Sequence, residues 1–367
     1  MKSDVFYTDL RTGFNNSLLD KLTRLMKKAG IEDIDFKNHY AAIKMHFGEP
    51  GNLAFLRPNW AKCVADEVKR LGGKPFLTDC NTLYVGGRKN ALDHLDSANL
   101  NGFNPLSTGC QIIIADGLKG TDDVDVPVDG NYVKNAHIGR AVMDADVFIS
   151  LSHFKGHEST GFGGALKNIG MGCGSRAGKM DMHSQGKPVV NEQKCIGCHR
   201  CEKICAHSAP TFSSGKCHID LAKCVGCGRC IGICPVDAIS EGVNNSNEIL
   251  NCRMMEYAKA VLQNRPSFHI SIAIDISPNC DCHAENDMPI TPNVGLFASF
   301  DPVALDQACA DAVNAMPANN RSMLAEAAKH TGDHFYDIHP DTSWKQGLEY
   351  AESIGLGSRS YNLITVK

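Results

Sequence analysis

The stretch KCIGCHRCEKICAH, followed after a turn-rich interval by KCVGCGRCIGICPV, limits what this chain can fold into more than any other. Its eight cysteines form two CxxCxxCxxxC runs, Cys195, Cys198, Cys201, Cys205 and Cys224, Cys227, Cys230, Cys234, repeating with a period of 29 residues. A cubane cluster needs four thiolates converging on its corners. Three from one tight loop and a fourth from the distant run meet that need, and loop amides can also bond the cluster sulfurs. On that logic Cys195, Cys198, Cys201 and Cys234 hold one 4Fe-4S cluster, and Cys224, Cys227, Cys230 and Cys205 hold a second. CIGCH at Cys195 to His199 also fits a haem-attachment pattern, but the flanking cysteines and the downstream copy have no place in a haem site. Zinc knuckles use two pairs rather than two fours, and a disulfide framework needs an oxidising compartment.

Over about fifty residues the segment resembles a two-cluster bacterial ferredoxin. One departure is Ala206 after Cys205, where the second run has Pro235, so the surroundings of the cluster using Cys205 are expected to differ. With 367 residues and 43% apolar content the chain can build two or three packed domains. A net charge of -4 without a basic patch argues against nucleic acid as a partner. The start, MKSDVFYTDLRTGF, lacks the apolar run of a signal peptide, and no later stretch reads as a membrane span. The expectation is a cytoplasmic protein whose 17 cysteines are thiols or ligands.

Outside the cysteine runs, helical and strand-like patterns alternate. Residues 14–30 read as a surface helix, 39–48 as a strand, WAKCVADEVKRLGG after Pro58 as an amphipathic helix, and 75–80 as a strand. Helix 88–99, strand 111–116, an acidic ribbon at 124–130, helix 135–144 and strand 146–153 follow. A glycine-rich loop at 156–174 runs into a short helix. After Ser240 come helix 248–263, strand 267–276, strand 295–300, a helix from Asp301, and helices near 321–330 and 343–355. This predicts a doubly wound, mostly parallel α/β sheet interrupted by a small α+β ferredoxin-type domain. The expected boundaries are 1–187 for the first part of the α/β domain, 188–243 for the insertion and 244–367 for the remainder.

Several stretches carry a family resemblance: AAIKMHFGEPGNLAFLRP, FLTDCNTLYVGGR, SHFKGHESTGFGGALKNIGMG and SPNCDCHAENDMPITPNVGLFASFDPVALDQA. They resemble the domain of unknown function 362 family, over nearly the whole chain. That implies an iron-sulfur protein of anaerobic metabolism and no known reaction. Locally, His157, Gly161, Phe162, Gly163, Gly164 and Lys167 are similar to the cofactor-site pattern of the nickel-pincer lactate racemase family. That resemblance implies a catalytic acid/base at His157, a pyridinium cofactor carried as a thioamide on Lys167, and a nickel-ligating histidine further on, at a position that His183 could match. A ferredoxin is foreign to those racemases, and racemisation needs no external electrons.

Ligands of open α/β sheets bind beyond the carboxyl ends of the strands. Asp79, Cys80, His153 and the run Asn279, Cys280, Asp281, Cys282, His283 fall at such ends, and His157 and Lys167 flank the glycine loop. Cys280, Cys282 and His283, with His153 and His183, are candidate ligands of an additional metal ion, zinc or iron by the softness of their donors. The GFGG glycines serve either tight packing or an anion at a helix N-terminus. No nucleotide-binding glycine fingerprint follows a strand. Cys63, Cys110 and Cys309 read as core, while Cys173, Cys217 and Cys252 have no assignment. The expected activity is electron transfer, with a low-potential donor or acceptor protein as partner, through two 4Fe-4S clusters to a small anionic substrate held by Lys167 and protonated by His157. Alternatives are a non-catalytic electron carrier or accessory subunit, and a nickel-pincer racemase or isomerase.

Overall fold

Apolar runs that pair in parallel fix the architecture. The computed structural model describes residues 2–84, 86–184, 187–242 and 246–367. The chain opens with β1 (Ser3–Thr8) and α1 (Leu18–Lys28), the helix started by a reciprocal cap between Ser17 and Asp20. Strand–helix alternation continues through β2 (Tyr40–Lys44), α2 (Pro58–Arg70), β3 (Lys74–Asp79), α3 (Ala91–Leu100), α4 (Pro105–Thr108) and β4 (Gln111–Ile114). A hairpin of β5 (Asp123–Pro127) and β6 (Asn135–Gly139) leads through the short α5 (Arg140–Met143) to β7 (Val147–His153). A second, small hairpin, β8 (Lys155–His157) and β9 (Gly161–Gly163), precedes α6 (Ala165–Cys173) and α7 (Arg176–Ser184).

The cysteine-rich segment holds β10 (Val189–Val190), α8 (Arg200–Ile204), β11 (Pro210–Ser213), β12 (Lys216–Ile219), α9 (Arg229–Ile233) and β13 (Ile239–Ser240). Its expected end at 243, and the start of the next part at 244, lie outside the described residues. The chain then forms α10 (Asn247–Leu262), β14 (Ser267–Ala273), β15 (Gly295–Ser299), α11 (Pro302–Asn314), α12 (His334–Ile338), α13 (Trp344–Ser353) and β16 (Tyr361–Thr365).

One eight-stranded sheet has the order β16-β1-β15-β14-β7-β2-β3-β4. Every strand but β15 runs in the same direction, since β15 is antiparallel to both of its neighbours while the other pairings are parallel. Side chains alternate between the faces. Ala41, Ile43, Val147, Ile149 and Leu151 pack under α1 and α2, whereas Ala42 and Phe148 join the opposite core with α6, α10 and α11. The carboxyl ends of β2, β3, β7 and β14 therefore share one rim.

Three expectations need correction. Residues 135–144 are not one helix: Val124 pairs with Ile138 and Val126 with Ala136, and this hairpin buries Val126, Ala136 and Ile138. No helix forms over 321–330. Asn319 donates from its amide to Ile290 O at 2.9 Å and from Nδ2 to Pro289 O at 2.9 Å, while Arg321 takes a left-handed conformation (φ 63°), which ties this stretch down as turns. The GFGG loop is a hairpin, and the N-terminus of α6 is already capped. Asp306 accepts from the amides of Ala165 at 2.7 Å and Leu166 at 2.9 Å. A Cβ at Gly164 would stand 2.3 Å from Asp306 Oδ1, so this glycine serves close packing and the helix end is not free for an outside anion.

Burial pushes the Asp306 carboxyl up to about 7 from an ordinary 3.8. The folded state thus keeps this proton to a higher pH than the unfolded chain does, and stability from this group declines as pH rises between about 4 and 7. Urea unfolding across that range should show the decline in the native protein and a flatter profile in Asp306→Asn. Asp306→Ala, which orphans two buried amides, should cost about 1–3 kcal/mol.

Candidate functional site

The shared rim opens into a cavity of about 780 Å³. Lys44, the last residue of β2, is buried, with Nζ 2.9 Å from Asp79 Oδ1 at the end of β3 and donating to Asn168 Oδ1 of α6 at 2.8 Å. Arg88 donates from Nε to Glu49 Oε2 at 2.8 Å, with Nη1 3.7 Å from Asp79 Oδ2, and it also bonds the Tyr84 hydroxyl. Burial opposes a charge on Asp79, but Lys44, His94 and His46 together outweigh it and hold the carboxyl well below the usual carboxylate range. Lys155, Lys167 and Lys179 also line the cavity, together with His46, His157, His183, Glu158 and Cys282.

The β8–β9 hairpin and the loop after β14 bring the sequence-predicted residues together. Gly156 donates to Ser277 O at 2.8 Å, and a Cβ there would meet Pro278 O at 2.2 Å, so the loop carrying Cys280 and Cys282 lies directly on the hairpin. From α6, Lys167 Nζ reaches Cys280 Sγ at 3.0 Å and Cys282 Sγ at 3.9 Å, and the two sulfurs are 2.9 Å apart. The hydrogen bond with Cys282 lowers the Cys280 thiol to about 5; burial opposes this, and the Lys167 charge adds to it. Burial works against the charge on Lys167, yet Cys280 and Cys282 raise its pKa above the ordinary lysine value. Cys282 also faces His46 Nε2 at 3.5 Å; His46 Nδ1 accepts from the Gly48 amide, so Nε2 carries the ring proton.

His157 lines the cavity with its ring oriented by backbone amides. Its Nδ1 accepts from the amides of Ser159 at 3.1 Å and Thr160 at 3.2 Å, which assigns the proton of the neutral ring to Nε2. Burial, with the nearby Lys167, pushes its pKa down to about 4. At neutral pH the ring is a hydrogen-bond donor, suited to orienting an acceptor atom.

Among the described residues no group of three or more histidine, cysteine, aspartate and glutamate side chains is arranged to hold a metal ion. The expected grouping of Cys280, Cys282, His283, His153 and His183 around one does not form. His153 Nδ1 lies 3.0 Å from the Asp281 carboxylate and Nε2 lies 2.7 Å from Ile274 O, so both ring nitrogens are occupied. His283 pairs with Glu158 at 3.0 Å near the surface, and this bond raises its pKa. His183 lines the cavity from α7. Cys110 and Cys309 are core as expected, Cys63 is half-buried, and Cys80, Cys173 and Cys252 are buried as well.

The cysteine-rich segment is a structural repeat. Gly197 and Gly226, His199 and Gly228, and Ser208 and Asp237 are all left-handed at the same 29-residue offset. Ala209 donates to Cys205 Sγ at 3.4 Å and Ala238 to Cys234 Sγ at 3.2 Å, again one repeat apart. Cys195, Cys198, Cys201 and Cys234 line a single small cavity with Phe212 and Cys217, and Cys217 donates its amide to Cys195 Sγ at 3.4 Å. The second run packs on α7. A Cβ at Gly228 would lie 2.8 Å from Arg176 Cγ, and one at Gly232 would lie 2.4 Å from Arg176 Nη1. That Nη1 is buried without a hydrogen-bond partner, and Cys230 and Cys227 stand close enough to act on the Arg176 charge.

The fold and rim cavity define a mostly parallel α/β protein with its candidate site beyond the strand ends. The chain belongs to the family described as domain of unknown function (DUF362), which matches residues 41–311. It is 28% identical over 124 residues to the thylakoid-associated protein sll1697 of Synechocystis sp. (strain ATCC 27184 / PCC 6803 / Kazusa), a match covering 34% of this chain and 35% of that protein. Among solved structures it is similar to the lactate racemase apoprotein from Thermoanaerobacterium thermosaccharolyticum, with 10% identity and a TM-score of 0.41 over 86% of this chain and 58% of that one. A Thermotoga maritima protein aligns with 12% identity and a TM-score of 0.40 over 82% and 59%. No helix among the described residues is long and apolar enough to cross a membrane.

Cys282→Ala and Lys167→Met should each raise the midpoint pH at which Cys280 is alkylated, from about 5 toward the ordinary thiol range, with the larger shift in Cys282→Ala. Peptide-resolved alkylation followed by mass spectrometry reads this directly.

Proposed function

We propose that the protein is an iron-sulfur oxidoreductase in which the cysteine-rich segment delivers electrons to a small anionic substrate in the rim cavity. The observation that carries this reading is the position of α7. Lys179 and His183 line the cavity, whereas Arg176 and Met180 pack against the second cysteine run. Leu83 lines the cavity and also belongs to the apolar cluster around Cys195, Cys201 and Ile231. The segment and the cavity thus share a wall.

The donor set fits two cubanes. A cubane is wider than a single ion, so its thiolates surround a cavity, as Cys195, Cys198, Cys201 and Cys234 do. For Cys205, Cys224, Cys227 and Cys230, support comes from the repeated amide-to-sulfur bond and from the unpartnered Arg176 Nη1, a donor suited to an anionic group. Bound there, such clusters exchange single electrons. In the cavity, Lys167 and Lys179 offset substrate charge, Lys155 and Arg88 being paired with Asp281 and Glu49, and His157 Nε2–H orients an acceptor atom. The partner would be a low-potential electron carrier, and the compartment the cytoplasm.

Anaerobically purified protein should contain about eight irons. Cys195→Ser and Cys224→Ser should each lose about half of them. With a reduced low-potential donor and a panel of small oxo- and carboxylate-bearing acceptors, the native protein should consume electrons. Lys167→Met and His157→Phe should keep the iron and lose turnover. Iron-replete protein that delivers electrons equally well with and without these side chains is a carrier, and protein without iron or labile sulfide overturns the proposal. Because His157, Lys167 and His183 line one cavity, a modified lysine is a second reading. Intact-mass analysis of protein from its native host tests it, an adduct on Lys167 supporting it.

A further inference from the structure

Cys280 and Cys282 lie outside the cysteine-rich segment and have a different setting. Cys280 is fully buried, while Cys282 is partly exposed and lines the cavity. Their sulfurs are 2.9 Å apart, and closing them into a disulfide needs an approach to about 2.0 Å. A metal held by both thiolates would have to sit beside the Lys167 ammonium, which already stands 3.0 Å from Cys280 Sγ and 3.9 Å from Cys282 Sγ. Like charges make that place unfavourable for a second cation. The lysine instead favours a pair of sulfurs sharing a single proton.

We propose that Cys280 and Cys282 form a redox-active dithiol that exchanges with a small acidic disulfide in the rim cavity. Transfer of the shared proton from Cys282 to the Cys280 thiolate across their 2.9 Å contact frees the Cys282 thiolate, which attacks one sulfur of R–S–S–R, forming a mixed disulfide and releasing RS⁻. That thiolate takes the proton from Cys280. The Cys280 thiolate then attacks the Cys282 sulfur, forming the Cys280–Cys282 disulfide and releasing the second RS⁻. Two electrons pass from the cysteine pair to the substrate disulfide, and the products are one RSH and one RS⁻. Lys167 offsets the thiolate charge throughout, and Lys179, which lines the same cavity, suits a substrate with an acidic group. The reverse sequence oxidises thiols. The exchange does not require iron-sulfur clusters, so it stands apart from the proposed electron route.

The test uses the full-length protein, purified anaerobically, with iron and labile sulfide measured in every sample. Incubation in reduced and oxidised glutathione mixtures, acid quenching, alkylation and peptide mass spectrometry report the state of each cysteine. The expected result is a Cys280–Cys282 peptide that loses two hydrogens and resists alkylation in proportion to the glutathione ratio. Cys280→Ser should trap one glutathione on Cys282, and Cys282→Ser should leave Cys280 without glutathione. Full alkylation of both cysteines of the native protein at every ratio overturns the inference. So does a stoichiometric metal, beyond the cluster iron, that protects the pair from alkylation. Protein lacking iron yet showing the linked peptide removes the electron route and keeps the dithiol; iron-replete protein without the linked peptide does the opposite.

Discussion

The ion pair between Lys44 and Asp79 ties the ends of two adjacent parallel strands at the rim of the sheet, and the cavity depends on it. Both side chains are almost fully buried, and removing one partner of such a pair costs roughly 3–5 kcal/mol because the other charge is left uncompensated. Asp79 also faces Arg88 and His94, and Lys44 also holds Asn168 of α6, so this contact links β2, β3, α6 and the loop before α3. Such an arrangement keeps a dense set of charges in a fixed geometry facing a space large enough for a small molecule. It is the charge pairing, more than apolar packing, that shapes this side of the sheet.

The second organising contact is the close approach of the loop after β14 to the β8–β9 hairpin. It works only because Gly156 has no side chain, and it delivers two sulfurs to a lysine 113 residues away from the first of them. A thiolate and an ammonium enclosed together stabilise each other's ionised forms, and this determines the chemistry available to both.

Much of this was legible in the sequence. The interior strands β2, β3, β7, β14 and β15 appear as apolar runs because both of their faces are covered, and the edge strand β4 is apolar although partly exposed. Strands β1 and β16 do not: β16 is an exposed edge, and it is specified by pairing Ser3–Tyr7 with Tyr361–Thr365 across the whole chain, which no local pattern records. In NAHIGRAVM the apolar spacing suits a helix, and only the facing β5 turns its first half into a strand. For the site, His157, Lys167, Cys282 and His283 stood out by type and spacing and do share one cavity. Lys44, His46, Arg88, Lys155 and Lys179 were missed, although a lysine closing the apolar strand AAIK was a signal, since such a residue is rarely buried without a partner. The hydrogen-bonded tautomer of His157 and the cap on α6 depend on partners that only the folded chain brings near.

Within the repeat, one left-handed position holds Gly228 and its counterpart holds His199, at φ 66° and φ 58°. The two halves have accordingly met different neighbours. The His199 ring stacks on Phe212 with centroids 3.8 Å apart, and Cys198 in this half is exposed, whereas Gly228 is pressed against Arg176 and Met180. A bare glycine gives the second half an inward-facing seat, and a bulky ring gives the first half an outward-facing cover. Two copies of one motif have thereby become a front and a back, and a duplication with no inherent direction has acquired a polarity.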